Sequence, residues 1–254
     1  MILQHRFEFF YSGSMMIEGK GYPMNVFDIL GPVMIGPSSS HTAGAARIGL
    51  VTRALLGKPA AEARIFFHGS FAKTYRGHGT DKAIVAGILG MKTDDERIRF
   101  SLDVAKKEGL KIQIETGELE DAHPNTAQIT LVAADGEQVS LRGSSIGGGN
   151  ILITRVNGME VSLTGQNPAL IVLHKDAPGT IAAVTELMAE YGVNICNFHL
   201  ARKEKGGMAM ETLHFAHISD THLTCGGSSP FMQRVAREVR DPWDNLKDCL
   251  CQLQ

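Results

Sequence analysis

The run Pro37-Ser38-Ser39-Ser40-His41-Thr42 places four hydroxyls and an imidazole immediately before a small-residue segment, 43–49. Ser and Thr at such a place cap the free N–H groups of a helix start. The same donors, together with the helix dipole, suit an anion such as a carboxylate. A histidine among them can move a proton near neutral pH. Two more histidines keep comparable company. His78 lies in Gly77-His78-Gly79-Thr80-Asp81-Lys82, between glycines and just ahead of an apolar segment. His123 lies in Asp121-Ala122-His123-Pro124-Asn125-Thr126, a loop before a strand. Loops on rigid scaffolds carry function more often than cores do, and general acid–base catalysis is the chemistry these residue types offer. Each histidine also has a plain structural reading as a surface or capping residue. A zinc site made of all three is neither indicated nor excluded, since no His-x-x-x-His spacing is present.

Three further groups invite a chemical reading. The stretch Gly143-Ser144-Ser145-Ile146-Gly147-Gly148-Gly149-Asn150 is glycine-rich like a phosphate cradle. It lacks both the Lys-Ser/Thr end of a P-loop and the G-x-G-x-x-G order, and close backbone approach between strands explains its glycines equally well. The turn Asp176-Ala177-Pro178-Gly179 and the segment Asn194-Ile195-Cys196-Asn197 end adjacent expected elements, and together they offer charge and backbone donors for an amino acid. Four cysteines, Cys196, Cys225, Cys249 and Cys251, match no disulfide framework and no metal-ligand spacing. Reduced thiols and a cytoplasmic setting are expected.

These residues need elements to position them. The 254 residues suffice for one large or two ordinary domains, and 43% hydrophobic with 20% charged residues is a globular composition. A net charge of -2 gives no general nucleic-acid surface. No apolar stretch is long enough to span a bilayer. Residues 1–23 lack the continuous apolar core of a signal peptide and are expected as a disordered extension, with Met15, Met16 and Met24 as later starts. A short strand is expected at 25–30, a helix at 42–56 ended by Gly57 and Pro59, and a strand at 64–68. A polar loop follows at 69–79, then helices at 80–89 and 94–107.

The period then changes to two, with strands at 111–116, 126–133, 138–142, 151–156 and 160–163. Asp135-Gly136 and Asn157-Gly158 are strong hairpin turns. The middle third is therefore an antiparallel meander packed on the earlier helices, an α+β domain. After a linker at 165–168, a strand (169–174), an amphipathic helix (180–191) and strands at 193–201 and 208–215 give the first two-thirds of a ferredoxin-like βαββαβ unit. Residues 232–239 suit the next helix, and no fourth strand is readable beyond it.

In this order, Asn25-Val26-Phe27-Asp28-Ile29-Leu30-Gly31-Pro32, the 36–42 run, the 77–83 run, His123-Pro124-Asn125 and the 145–149 run resemble the beta subunit of bacterial iron–sulfur-dependent L-serine dehydratases. The resemblance spans about residues 24–216. It implies two domains: a beta-chain domain at 24–165, like the allosteric-substrate-binding domain of some phosphoglycerate dehydrogenases, and an ACT domain at 168–240, with an irregular tail at 241–254. It further implies that a separate alpha subunit carries a [4Fe-4S] cluster whose open iron acts as a Lewis acid on L-serine. This chain would hold no metal and would work in a hetero-oligomer. His78 would be the base that removes the Cα proton, and His41 and His123 would orient substrate or pass the proton on. Ser38, Ser39, Ser40, Thr42, Asp81 and Asn125 would position the substrate's charged groups, and Asp176, Gly179 and Asn194 would bind an effector.

The likeness fails at both ends, in 1–23 and after about Ala216. Two other readings stay open: a non-catalytic serine-sensing regulatory subunit, and a stand-alone metal hydrolase using the histidines.

Overall fold

A computed structural model describes residues 6–10, 34–164, 169–190 and 193–215, and the chain divides into two units. The larger spans Met16–Thr164; the smaller joins Met1–Met15 to Gly165–Gln254. The expected strand at 25–30, the linker at 165–168, the helix at 232–239 and the tail at 241–254 lie outside the described residues.

The larger unit is one six-stranded sheet in the order β3-β2-β4-β5-β6-β7. Its strands are β2 (Ala60–His68), β3 (Lys111–Gly117), β4 (Thr126–Ala133), β5 (Gln138–Gly147), β6 (Asn150–Val156) and β7 (Met159–Leu163). The last four form the antiparallel meander that period-two patterning predicts. Only β2 and β3 pair in parallel, because the helical segment between them makes the long crossover that parallel pairing requires. Alternate residues face inward, as along β4, where Ala127, Ile129, Leu131 and Ala133 are buried. At Asn157-Gly158 both central residues have positive φ, 50° and 78°, the tight hairpin turn foreseen from sequence. At Asp135-Gly136 only Gly136 (φ 86°) is left-handed, which makes that loop one residue longer than the two-residue turn.

The helices cover the apolar face. A π-helical turn, Ser39–Gly44, leads into α1 (Ala45–Leu56), so the expected helix at 42–56 begins with a wider turn. α3 (Thr80–Ile88) buries every residue except Lys82. A 3-10 turn, Glu96–Phe100, and α4 (Ser101–Lys107) divide the helix expected at 94–107. α1 and α3 cross through two glycines. A Cβ on Gly49 would collide with the Ile84 carbonyl, and one on Gly87 with the Ala46 carbonyl. Backbone cannot yield as a side-chain tip can, so Gly49→Ala or Gly87→Ala is expected to cost about 1–3 kcal/mol. A lower urea midpoint at unchanged slope would register it.

One element corrects the sequence reading. Residues expected as a polar loop form a helix, α2 (Gly69–His78). Phe71 is buried, Tyr75 stacks one turn on toward Phe67 at 5.2 Å, and the Thr74 hydroxyl donates to the Ser70 carbonyl. Phe71 and Tyr75, four positions apart, share one helix face and both pack against Phe67.

The smaller unit is an antiparallel four-stranded sheet, β1-β8-β10-β9. β8 (Ala169–Lys175), α5 (Thr180–Glu190), β9 (Ile195–Arg202) and β10 (Met208–Phe215) supply the strand-helix-strand-strand pattern read from sequence. Beside β8, where a βαββαβ unit seats its own last strand, lies β1 (Arg6–Phe10). These five residues of the expected disordered extension are thus a strand. Three phenylalanines in five residues favour that conformation, and pairing covers the otherwise open edge of β8.

Candidate active site

The 36–42 loop, the C-terminal end of α2 and the 123–125 loop carry residues singled out above. Ser38 takes an extended conformation (φ -144°, ψ 126°), and its Oγ accepts the His41 backbone N–H at 3.2 Å. The capping role expected of the serine run therefore falls to Ser38. Ser39 and Ser40 occupy the following turn, half-buried, and Thr42 is buried with no hydrogen-bond partner for its hydroxyl among the described residues.

The π-helical turn directs His41 toward α2. Its ring lies 4.7 Å from that of His78 and packs edge-on to Phe71 at 5.2 Å. Serine hydroxyls flank both nitrogens: Ser38 Oγ is 3.3 Å from Nδ1 and Ser70 Oγ is 3.3 Å from Nε2. His78 ends α2 and is exposed, with Gly79 following in the left-handed conformation (φ 69°). The two histidines stand 37 positions apart in sequence, and their adjacency depends on α2.

The His123 loop joins this region through backbone bonds. The Pro124 carbonyl accepts the Ser70 N–H at 2.7 Å, and the Asn125 carbonyl accepts the Ser145 N–H at 2.9 Å. His123 is exposed, and its Nδ1 accepts the Asn125 N–H at 3.1 Å. Gly69 (φ 58°) is tight against Pro124, so a side chain at that position would displace the loop. The first turn of α3 carries Asp81, which is 9% exposed, and its Oδ1 accepts the Lys82 N–H at 2.8 Å. Burial raises the Asp81 pKa, against the pull of the Lys82 N–H and the Lys82 and Arg76 charges.

Burial, and the charge of His78, hold the His41 pKa below the ordinary imidazole value. His41 is therefore neutral at pH 7. The unfolded chain binds that proton more tightly, so stability from this group is lost as pH falls through the folded pKa. His78→Gln is expected to raise the His41 pKa only part of the way back, because burial is the larger cause. An imidazole NMR titration of the full chain measures this directly.

Sequence reasoning passed over Ser70. Its signal, a serine one residue past a strand-ending His68-Gly69, becomes meaningful only once α2 is seen to be a helix. The glycine-rich 143–150 stretch is the β5–β6 hairpin, with Gly147, Gly148 and Gly149 all at positive φ and the Gly149 carbonyl accepting from Arg47. It serves as a tight turn, the structural alternative to a phosphate cradle.

In the smaller unit, the proposed effector residues do not meet within one chain. Asp176 follows β8 and is engaged by the β9–β10 hairpin, accepting from Arg202 Nη1 (2.9 Å) and the Gly206 N–H (3.0 Å). The Gly206 N–H first, then Arg202, lowers its pKa. Gly179 (φ 90°) lies next to it in sequence. Asn194 precedes β9 at the opposite end of the sheet, because β8 and β9 both run antiparallel to β10.

Among the described residues, no three His, Cys, Asp or Glu side chains are arranged to hold a metal ion, and Cys196 is an exposed free thiol. These residues do not fit an iron–sulfur cluster; Cys225, Cys249 and Cys251 lie outside them. Nor is any described helix long and apolar enough to cross a membrane.

A family model for the serine dehydratase beta chain matches residues 25–109, the stretch that carries the π-helical turn, α1, α2 and α3. A probable L-serine dehydratase beta chain of Bacillus subtilis is 48% identical over 199 residues, 78% of this chain and 90% of the relative. The L-serine dehydratase beta chain of Peptoniphilus asaccharolyticus is 39% identical over 176 residues, 68% of this chain and 79% of that one. A D-3-phosphoglycerate dehydrogenase of Methanocaldococcus jannaschii is 31% identical over 114 residues, 45% of this chain and 21% of the enzyme. With nearly the whole length of a curated beta chain matched at this identity, the chain belongs to the L-serine dehydratase beta-chain family.

Proposed function

We propose that this chain is the beta subunit of an L-serine ammonia-lyase that converts L-serine to pyruvate and ammonia. The observation that carries the reading is the paired imidazoles of His41 and His78, set among serines. In this reading an alpha subunit completes the active site and holds the [4Fe-4S] cluster. The residues of this chain bind, orient and move protons. His78, exposed and flanked by glycines, takes the proton from Cα. The released electron pair forms the Cα–Cβ double bond as the Cβ–O bond breaks, and the hydroxyl leaves as water by taking up the proton that His78 accepted. The resulting aminoacrylate tautomerises to an imine, and water then releases ammonia and pyruvate.

Ser39, Ser40 and Thr42 at the π-helical turn offer donors to the substrate carboxylate, Asp81 and Asn125 assist in its placement, and His123 relays protons at the rim. The proposed architecture is a beta-chain domain at 24–165 and an ACT-like domain at 168–240, the latter taking an amino-acid effector through Asp176, Gly179 or Asn194. Mixing this chain with a cluster-loaded alpha subunit should give serine-dependent pyruvate formation that neither subunit shows alone. No turnover in the mixture, or full turnover by the isolated chain, overturns the proposal.

The likeness to the Methanocaldococcus jannaschii D-3-phosphoglycerate dehydrogenase, which extends over 114 residues, favours a second reading in which the chain only regulates its partner. The histidine variants separate the two. A lost kcat supports the shared active site, whereas a displaced activation curve with kcat intact supports regulation.

A further inference from the structure

We propose that Ser70 is a positioning residue that fixes His41 in its Nε2–H tautomer and extends a Ser38–His41–Ser70 hydrogen-bond chain toward the substrate. Only the kinetic part of this inference rests on the dehydratase reading; the tautomer does not.

Each hydroxyl can give or accept a proton, and the direction assigned runs from Ser38 through His41 to Ser70. Ser38 Oγ already accepts the His41 N–H, so its own proton is free to be donated to His41 Nδ1, 3.3 Å away. A neutral imidazole has one donor and one acceptor nitrogen. With Nδ1 accepting, Nε2 carries the hydrogen and donates to Ser70 Oγ, also at 3.3 Å. Both distances are long for such bonds and leave room for tightening around a ligand. Ser70 is itself held at both backbone ends: its N–H donates to the Pro124 carbonyl, and its carbonyl accepts the Thr74 hydroxyl. With Oγ accepting from His41, the Ser70 hydroxyl proton remains to be offered onward. Chains of this kind polarise each other, so each bond strengthens the next. Phe71 edge-on and His78 beside the ring complete its immobilisation.

The decisive measurement is a long-range nitrogen–proton NMR spectrum of the imidazoles in the full chain, above the His41 titration. The wild type should show Nδ1 as acceptor and Nε2 protonated. Ser70→Ala should give a mixture of tautomers, and Ser70→Thr, which keeps the hydroxyl, should restore the single form. In the assembled enzyme, Ser70→Ala should lower kcat roughly tenfold with KM little changed, again recovered by Ser70→Thr. A wild-type Nδ1–H tautomer, or a Ser70→Ala spectrum matching wild type, overturns the assignment of the tautomer. A shifted tautomer with unchanged kcat overturns the role in catalysis. An inactive wild-type assembly with the predicted tautomer would instead count against the dehydratase reading, so the two failures are distinguishable.

Discussion

His78→Ala is expected to lower kcat of the assembled enzyme by about a hundredfold to ten-thousandfold, the range over which a positioned general base acts. The fold should hardly notice. His78 is exposed at the C-terminus of α2, and such side chains change stability by about 0.5 kcal/mol or less. Gly77 and Gly79 on either side leave open space where Cβ atoms would stand, so a substrate can approach the imidazole closely. The comparison with His41→Ala is informative. His41 is half-buried among Ser38, Ser70, Phe71 and His78, so its loss should disturb local packing as well as rate. If His78 is the base, the two variants should differ: clean loss of kcat at His78, mixed loss at His41. Retained turnover in His78→Ala, with the variant assembled and folded, would move the base to another group.

Most of the larger unit can be read from its sequence, for identifiable reasons. β4 shows the alternation of a sheet with one apolar face, and Asn157-Gly158 has the residue pair that a tight hairpin turn demands. α2 is hidden because Gly69, Gly77 and Gly79 and the charges of Lys73 and Arg76 outweigh, to the eye, the Phe71–Tyr75 spacing. That single misreading also conceals how the site forms. As a loop, residues 69–79 leave His41 and His78 unrelated; as a helix, they carry Ser70 and His78 to the same imidazole. The smaller unit shows the opposite limit. Its βαββ pattern is local and legible, whereas β1 reaches β8 from more than 150 residues away, and no local period announces that pairing. The placement of Asp176 and Asn194 at opposite sheet ends likewise depends on strand direction, which follows from the antiparallel order around β10 and not from residue types.

Breaking the buried pair His174–Glu211 is expected to cause the largest loss of stability. The two side chains are 2% and 0% exposed, and His174 Nε2 lies 3.0 Å from Glu211 Oε1 across β8 and β10. His174 Nδ1 lies 2.8 Å from the Lys175 carbonyl, an oxygen that can only accept, so Nδ1 carries a hydrogen. Burial opposes a charge on this imidazole. The close Glu211 side chain, the hydrogen bond to the Lys175 carbonyl and the Asp176 charge outweigh it, and its pKa lies above the ordinary value. His174→Leu removes the imidazole and leaves the buried Glu211 side chain without it in an apolar sheet. Removing one partner of a buried pair costs about 3–5 kcal/mol. The double variant, His174→Leu with Glu211→Leu, removes the stranded polar group and should recover most of that loss, since well-packed apolar replacements of such pairs are often neutral. The pH dependence has a definite sign. With the folded pKa raised, stability from His174 is fully present below the ordinary imidazole value and is lost as pH rises through the folded pKa. Urea unfolding at about pH 6 and about pH 9 should therefore show a falling wild-type midpoint, and that fall should be smaller in the double variant. A His174→Leu loss below about 1 kcal/mol, or single losses that simply add in the double variant, would show that the two groups are not coupled.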